Sequence, residues 1–171
     1  PMVASSGSRF MNSAVRNGPM LAVEMKIIST AIAIATLEPI SAAALPGYSP
    51  PERFWEGLEQ RRERHGFLIC FDEVVTGLGR VGTWLAAHQL PIEPDIVSIG
   101  KGLGAGYAPL GGVLCRAHVY EALDEGSREF DLGHTWDGAP LPSAVGLAVL
   151  DLLVERGLVQ RVRERGPSLR D

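Results

Sequence analysis

Short apolar runs, separated by charged and glycine-rich segments, predict a buried β-sheet. Residues 31–37, 67–71, 95–100 and 110–115 each form such a run. Because these runs do not alternate regularly between apolar and polar residues, we expect strands that are buried on both faces, as in a parallel sheet. The link between the last two runs is too short for a helical crossover. Residues 110–115 are therefore predicted to run antiparallel to their neighbour.

Signals for helices lie between and after these runs. The sequence SPPE at residues 49–52 predicts a helix start, with Ser49 as the cap and an acidic residue near the positive end of the helix dipole. Gly66 is predicted to end this helix, which would then form a βαβ crossover. Further helices are predicted over residues 20–28, 82–89, 117–123, 139–156 and 159–165. The helix over 139–156 is apolar over much of its surface, which predicts burial, including burial between subunits.

Composition and charge narrow the classes of function. The chain has 171 residues, of which 46% are hydrophobic and 21% charged, so one domain with an adequate core is expected. The net charge of −4 and the absence of an extended basic cluster argue against nucleic acid as a partner. We find neither a signal peptide nor an apolar stretch that could span a bilayer, so a cytoplasmic protein is predicted.

The cysteines and histidines suggest no chemistry of their own. Both cysteines, Cys70 and Cys115, lie in apolar runs, where buried and reduced thiols are the expectation. The four histidines are scattered and show no spacing typical of metal ligands. No metal site is predicted.

The candidate chemistry lies where two of the predicted strands end. Asp72 and Glu73 follow one apolar run, and Lys101 follows another and begins a glycine-rich segment. Ligands of open α/β sheets bind at the carboxyl ends of parallel strands. A lysine beside a carboxylate suits pyridoxal phosphate, because the amine binds the aldehyde and the acid pairs with the pyridinium nitrogen. The alternative is that both charges belong to ordinary solvated loops.

Three collinear segments resemble the signature blocks of one known family. They read FDEVVTGLGRVG from Phe71, EPDIVSIGKGLGAGYAPLGGVL from Glu93 and GHTWDGAPLPSAVGLAVLDLL from Gly133. Together they are similar to the class III (ω-amino acid type) aminotransferases, which are fold type I pyridoxal phosphate enzymes. The resemblance implies an α/β fold with a mostly parallel sheet and helices on both faces.

The same resemblance implies a domain organisation. Residues 31–157 correspond to part of the large domain that binds pyridoxal phosphate, and residues 158–171 to the start of the C-terminal small domain. Residues 1–30 are a poorly defined N-terminal segment. Family members are more than twice this length, and a long segment with a ring-stacking aromatic residue has no counterpart before residue 31. Residues 1–30 are therefore expected either to adjoin a deletion or to be discontinuous with the rest.

The resemblance also implies roles for individual residues. Lys101 corresponds to the Schiff-base lysine, which then carries the proton between substrate and cofactor. Asp72 corresponds to the acid that keeps the pyridine nitrogen protonated, and Val74 to an apolar residue against the ring, with a core valine as the alternative. Thr135 corresponds to a threonine that binds the cofactor phosphate of a neighbouring subunit, so a homodimer with shared sites is expected. The alternative for Thr135 is an ordinary helix cap.

Further residues are implicated by weaker likenesses. Residues 5–8, SSGS, resemble the family's phosphate-binding turn at a helix start, which implicates Gly7 and Ser8; a flexible tail is the alternative. Glu38 resembles a strand-end glutamate that pairs with a substrate-gating arginine, and its alternative is a simple strand-end carboxylate. Trp136 stands where many relatives have tyrosine or phenylalanine, so it is expected to shape the substrate pocket.

The implied function is transfer of an amino group from an amine or ω-amino acid to a keto acid such as pyruvate, with pyridoxal 5'-phosphate as cofactor. The sequence does not identify the amino donor or acceptor. One alternative is a non-catalytic fragment or truncated paralogue that acts as a structural or interaction module. Another is a racemase or decarboxylase built on the same scaffold.

Overall fold

One sheet of five strands organises the described part of the chain. The computed structural model of the protein describes residues 24–28, 32–42, 45–126 and 133–169. The strands are β1 (Glu24–Ile28), β2 (Ile32–Leu37), β3 (Leu68–Asp72), β4 (Ile96–Ile99) and β5 (Gly112–Cys115), and they lie in the sheet in that order. Gly7, Ser8 and the other residues of the predicted phosphate-binding turn lie outside the described residues.

The strand directions confirm the predicted α/β class with a mostly parallel sheet. The three central strands, β2, β3 and β4, run parallel, while β1 and β5 run antiparallel to their neighbours. The antiparallel direction of β5 confirms the prediction made from its short link. In the parallel register Leu37 lies opposite Phe71, and Asp72 lies opposite Ser98.

Helix α1 (Glu52–His65) makes the predicted crossover between β2 and β3. Gly66 ends it in the left-handed conformation with φ 67°, as predicted, because glycine adopts that geometry without a Cβ clash. The predicted cap is wrong, however. Pro51 occupies the N-cap position, and the Ser49 hydroxyl instead donates to the carbonyl oxygen of Pro39 at 3.3 Å. Ser49 thus ties the start of the helix to the end of β2.

The core lies between α1 and one face of the sheet. Trp55 of α1 and Phe71 of β3 pack edge to face with ring centroids 5.6 Å apart, a geometry worth about 0.5–1.5 kcal/mol beyond area burial. The Trp55 indole N–H donates to the Pro50 carbonyl at 3.1 Å, so no polar atom of this ring is buried without a partner. Leu37, Ile69, Ala87 and Ile92 complete the buried cluster. Because strand residues alternate, Asp72 lies on the face away from α1.

Four further segments follow the sequence-based expectations in part. Helices α2 (Ala117–Glu125), α3 (Pro140–Glu155) and α4 (Leu158–Arg165) are confirmed, with Gly157 in the left-handed conformation between the last two. The helix predicted over residues 82–89 is instead a 3₁₀ turn limited to Ala86–Gln89. Apolar side chains of α3 are exposed within the chain, Leu147 by 62%, so the predicted burial is not met by intrachain contacts.

Two other predictions are wrong. Residues 24–28 form strand β1 rather than a helix, because they pair along their whole length with β2, and such pairing overrides a local helical pattern. Residues 20–23 of that predicted helix lie outside the described residues. Cys115 is exposed rather than buried, since within the described residues β5 pairs with β4 and with no strand on its other side. Both cysteines are free thiols, and Cys70 is half-buried.

Candidate active site

The carboxyl ends of the three parallel strands bring three charged residues to one edge of the sheet. Glu38 follows the last residue of β2, Asp72 ends β3, and Lys101 comes two residues after the end of β4. Lys101 lies three positions beyond Ser98, the register partner of Asp72, which is about 10 Å of extended chain. The two residues predicted to act together, Asp72 and Lys101, thus lie at or just after the carboxyl ends of adjacent strands.

Asp72 is half-buried, and one of its two carboxylate oxygens accepts hydrogen bonds from the protein. Its Oδ1 atom accepts hydrogen bonds from the Val74 N–H at 3.0 Å and from the Ser98 hydroxyl at 3.2 Å. The first is an Asx turn, in which an aspartate side chain bonds the backbone two residues on. Within the described part of the chain, Oδ2 accepts no hydrogen bond. That oxygen can accept a hydrogen bond from a ligand.

Lys101 occupies a strained backbone conformation at the start of a 3₁₀ turn, Lys101–Leu103. Its φ is 38°, in the left-handed region that disfavours residues with a Cβ, at a typical cost of about 1–3 kcal/mol. Such strain clusters at active sites, where the surrounding structure imposes it. The Lys101 side chain is exposed and lines an open cavity of about 400 Å³, together with Gly106, Tyr107 and residues 108–110. Small-molecule sites usually measure ~300–1,000 Å³.

The glycine-rich segment after Lys101 folds back through consecutive turns. The Tyr107 N–H donates to the Gly104 carbonyl at 2.8 Å, and the Ala105 N–H donates to Gly102 at 3.2 Å. A Cβ added to Gly104 would lie 2.0 Å from the Ala108 carbonyl oxygen, so no larger residue fits this turn. Helix α3 supports the segment from outside, because a Cβ on Gly146 would meet Leu110 at 2.4 Å.

Residues of the loop after β3 pack against the lysine segment. A Cβ on Gly100 would touch the Val74 side chain at 3.4 Å, and one on Gly102 would touch Leu78 at 3.7 Å. Leu78, like Lys101, has a left-handed φ, here 57°. Val74 therefore lies beside the backbone that precedes Lys101, on the same edge as Asp72. Its predicted contact with a cofactor ring stays a prediction.

Glu73 anchors the loop after β3 from within the core. Only 1% of this residue is exposed, and its carboxyl group accepts hydrogen bonds from the Thr76 hydroxyl at 2.9 Å and from the backbone N–H groups of Ala86 and Ala87 at 2.6 and 2.8 Å. These bonds join the beginning of the loop to the 3₁₀ turn at Ala86–Gln89. The Glu73 carboxyl group therefore has a structural role in holding this loop.

Cys70 lies two residues before Asp72 on the same face of β3. Burial raises the pKa of its thiol, the hydrogen bond with Thr36 opposes that shift, and the charge of Asp72 adds to it. A raised pKa favours the protonated thiol, which is the less nucleophilic form of cysteine.

The other predicted site residues in the described chain either make a different contact or are exposed. The Glu38 carboxylate accepts a hydrogen bond from the Ala42 N–H at 3.1 Å, so in this chain it caps a turn after β2. Thr135 and Trp136 lie exposed in the turn before α3. Because Ala139 is the N-cap of α3, the alternative that Thr135 caps this helix is wrong.

Two general features of the described chain bear on the kind of site. None of its helices combines the length and apolar character needed to cross a membrane. Within the same residues, no three histidine, cysteine, aspartate or glutamate side chains are grouped as metal ligands.

Sequence comparison relates this geometry to known proteins. The profile of the family described as Aminotransferase class-III matches residues 11–171. The chain belongs to that family. The β-alanine–pyruvate aminotransferase of Pseudomonas aeruginosa is 35% identical over 141 residues, which are 80% of this chain and 31% of that protein.

Solved structures of transaminases share the fold. An (S)-enantioselective ω-transaminase from Thermomicrobium roseum superposes with a TM-score of 0.72 at 36% identity, over 78% of this chain and 30% of that one. Taurine:2-oxoglutarate aminotransferase from Bifidobacterium kashiwanohense, solved with pyridoxal phosphate and glutamate, gives a TM-score of 0.74 at 29% identity, over 80% of this chain and 30% of that one. The chain thus spans about a third of the length of its relatives.

Of the predicted site residues, the structure brings Asp72, Val74 and Lys101 to one place. Sequence reasoning missed Ser98, whose hydroxyl bonds Asp72. A serine within the apolar run Ile-Val-Ser-Ile was the available signal, because serine has little intrinsic preference for a buried strand.

Proposed function

We propose that the protein containing this chain is an aminotransferase that moves an amino group from an amine or ω-amino acid to a keto acid such as pyruvate. The observation that carries the proposal is the position of Asp72 and Lys101 at the ends of adjacent parallel strands, in a chain that belongs to the class-III aminotransferase family. The relative that acts on β-alanine and pyruvate supports this substrate class.

The residues of this edge fit pyridoxal phosphate. When bound, that cofactor supplies an aldehyde for covalent attachment and a pyridinium ring that withdraws electrons. Asp72 Oδ2, which has no donor within the described chain, suits the ring N–H, and the Lys101 amine beside the cavity suits the aldehyde. Val74 offers an apolar surface beside Gly100, which directly precedes the lysine.

Proton transfer falls to Lys101. Its amine is the basic group at the cavity, and its long side chain can reach a substrate carbon and return the proton to another atom. Asp72 is held by two hydrogen bonds and half-buried, so it serves as a fixed negative charge that stabilises a positive ring nitrogen. Lys101 is thus proposed to move the proton, while Asp72 is proposed to stay fixed and stabilise the ring nitrogen.

The remaining predicted residues complete the proposal. Thr135, exposed in its turn, is proposed to bind the cofactor phosphate of a second subunit in a homodimer, with Gly7 and Ser8 binding phosphate in their own subunit. Glu38 is proposed to pair with a substrate-gating arginine, and Trp136 is proposed to shape the substrate pocket. Residues 31–157 are proposed to be part of the cofactor-binding domain and 158–171 the start of the small domain. The protein is also proposed to be cytoplasmic.

Covalent labelling of the lysines tests the proposal. The chain has two lysines, Lys26 and Lys101, so each is the control for the other. Full-length protein incubated with pyridoxal phosphate and reduced with borohydride should carry the cofactor on the peptide that contains Lys101. Lys101→Arg should abolish both this label and alanine formation from β-alanine and pyruvate, whereas Lys26→Arg should retain them. Protein that binds no cofactor, or labels equally in the Lys101 variant, would favour a non-catalytic role.

A further inference from the structure

Ser98 links the two strands that carry the proposed catalytic residues. It lies opposite Asp72 in the register of β3 and β4, and its side chain is on the same face. Its hydroxyl donates to Asp72 Oδ1 at 3.2 Å, and its carbonyl accepts the Glu73 N–H at 2.9 Å. One residue of β4 therefore fixes both the backbone and the side chain at the end of β3.

Both donors to Asp72 select the same oxygen. The Val74 N–H reaches Oδ1 from the turn after β3, and the Ser98 hydroxyl reaches it from β4. A carboxylate with one such bond can still turn about its Cβ–Cγ bond, because terminal torsions of this kind are broad. A donor in the turn and a donor in the neighbouring strand together define the carboxylate plane and leave Oδ2 as the oxygen without a partner in the described chain. Ser98 supplies the side-chain donor of this pair.

Packing alone does not account for a serine at this position. Ser98 lies within the run Ile96–Ile99, where an aliphatic residue would bury more apolar surface. Serine also has a weak preference for strands. Ser98 is half-buried and its hydroxyl donates to a carboxylate, which is a charge-assisted type of hydrogen bond. The chemistry of the side chain, rather than its volume, explains its place.

From these contacts we infer that Ser98 is a positioning residue, which holds the Asp72 carboxylate so that Oδ2 faces the ring nitrogen of pyridoxal phosphate. The inference rests on the proposed function, because it concerns the same site. Ser98 does not itself touch the reacting atoms. It acts through the orientation of Asp72.

Threonine and valine variants separate the hydroxyl from the shape of the side chain. The two side chains are nearly isosteric and both suit a strand, so Ser98→Thr and Ser98→Val differ chiefly in one hydrogen-bond donor. Ser168→Ala is the matched control, since it removes a hydroxyl that donates only to a backbone carbonyl at the end of α4. Thermal unfolding of each apoprotein checks that the variants are folded.

Cofactor affinity and ring protonation are the two measurements. Titration of full-length apoprotein with pyridoxal phosphate should give a dissociation constant about tenfold higher for Ser98→Val than for wild type, the size expected for one hydrogen bond to a charged group. Ser98→Thr and Ser168→Ala should match wild type. With cofactor labelled by ¹⁵N in the ring, the nitrogen signal of Ser98→Val should move toward the unprotonated ring, while that of Ser98→Thr should not.

The outcomes distinguish this inference from the proposed function. Equal affinities and equal nitrogen signals for the threonine and valine variants, or a shift toward fuller protonation, overturn the role of Ser98 while leaving cofactor binding intact. If wild-type protein fails to bind pyridoxal phosphate, or binds it independently of Lys101, the proposed function itself fails, and the role of Ser98 fails with it.

Discussion

The neighbouring carboxyl groups of Asp72 and Glu73 share a chemistry but differ in surroundings. Asp72 is half-buried at the edge of the sheet and has one oxygen without a donor in the described chain. Glu73 is fully buried, and both of its oxygens accept hydrogen bonds from the loop that it holds. The first can therefore serve a ligand, while the second serves the fold. Burial and partners, not residue type, separate the two roles.

Removal of the Glu73 carboxyl group should destabilise the protein. Glu73→Ala leaves the Thr76 hydroxyl and two backbone N–H groups buried without an acceptor, and a loss of about 3 kcal/mol in the free energy of unfolding is expected. Urea denaturation of the variant and of wild type measures it. Glu63→Ala, at an exposed position of α1, is the control and should change stability by less than about 0.5 kcal/mol. Equal stability of both variants would contradict the anchoring role.

The sequence pointed to Asp72 and Lys101 but not to the hydrogen bonds that hold Asp72 and the loop after it. Charged residues directly after apolar runs are visible in a linear pattern, because strand ends and loop starts coincide. The bond between Ser98 and Asp72 joins residues 26 positions apart, and the bonds of Glu73 reach 13 and 14 positions along the chain. Such contacts depend on strand register and loop path, which no local pattern encodes.

The segment from Lys101 to β5 consists of consecutive turns. Its path requires the backbone at Gly104 to lie very close to the backbone at Ala108. Gly104 lies where any Cβ would overlap the Ala108 carbonyl oxygen, and the left-handed φ of Lys101, 38°, sets the direction in which the segment leaves β4. Helix α3 closes against it through Gly146. The position of the lysine amine is thus determined by the packing of a whole segment rather than by Lys101 alone.

An alanine at position 104 should disturb this segment. Gly104→Ala forces the backbone apart near Ala108, and overpacking of this kind costs about 1–3 kcal/mol. We expect lower thermal stability together with weaker binding of pyridoxal phosphate, measured by titration of the apoprotein. Gly111→Ala is a matched control, because its Cβ would meet Ile99 O at an ordinary 3.5 Å and its φ is not left-handed. Similar effects of the two substitutions would refute the steric argument.

Local patterns predicted most elements and missed one strand. The apolar runs, the Gly66 helix end and the short link before β5 each reflect a preference of a few neighbouring residues, so they could be recognised without the fold. Strand β1 could not, since its pairing with β2 comes from contacts between separate segments. The Ser49 cap failed for a similar reason: its hydroxyl found the Pro39 carbonyl, ten residues away, as its partner.

The two ends of the sheet perform different tasks. The carboxyl ends of β2, β3 and β4 bear Glu38, Asp72 and Lys101. Near the opposite end, Asp95 precedes β4, is buried, and accepts a hydrogen bond from the Ile69 N–H at 2.8 Å. Its carboxylate also contacts Arg62 of α1 at 3.4 Å and His118 of α2 at 3.1 Å. That end joins helices to the sheet, while the other is open to ligands.

Loss of the Asp95 carboxylate should lower the stability of the protein but leave its affinity for the cofactor unchanged. Asp95→Ala removes the acceptor for the Ile69 N–H and the partner of Arg62, so a decrease of about 2 kcal/mol in the free energy of unfolding is expected. The dissociation constant for pyridoxal phosphate should stay unchanged, because the site lies at the other end of β3 and β4. Asp151→Ala, exposed on α3, is the control. A cofactor affinity that falls as strongly as stability would show that the two ends are coupled.

Apolar runs, turn residues and motif order were enough to predict an α/β chain with a carboxylate and a lysine at strand ends, because each depends on residues adjacent in sequence. Long-range packing was needed to bring these groups to one edge, to aim Asp72 through Ser98, and to bury Glu73 but leave Cys115 exposed. The reason is physical: hydrogen-bond partners and burial belong to pairs of distant segments, and only the folded sheet brings those segments together.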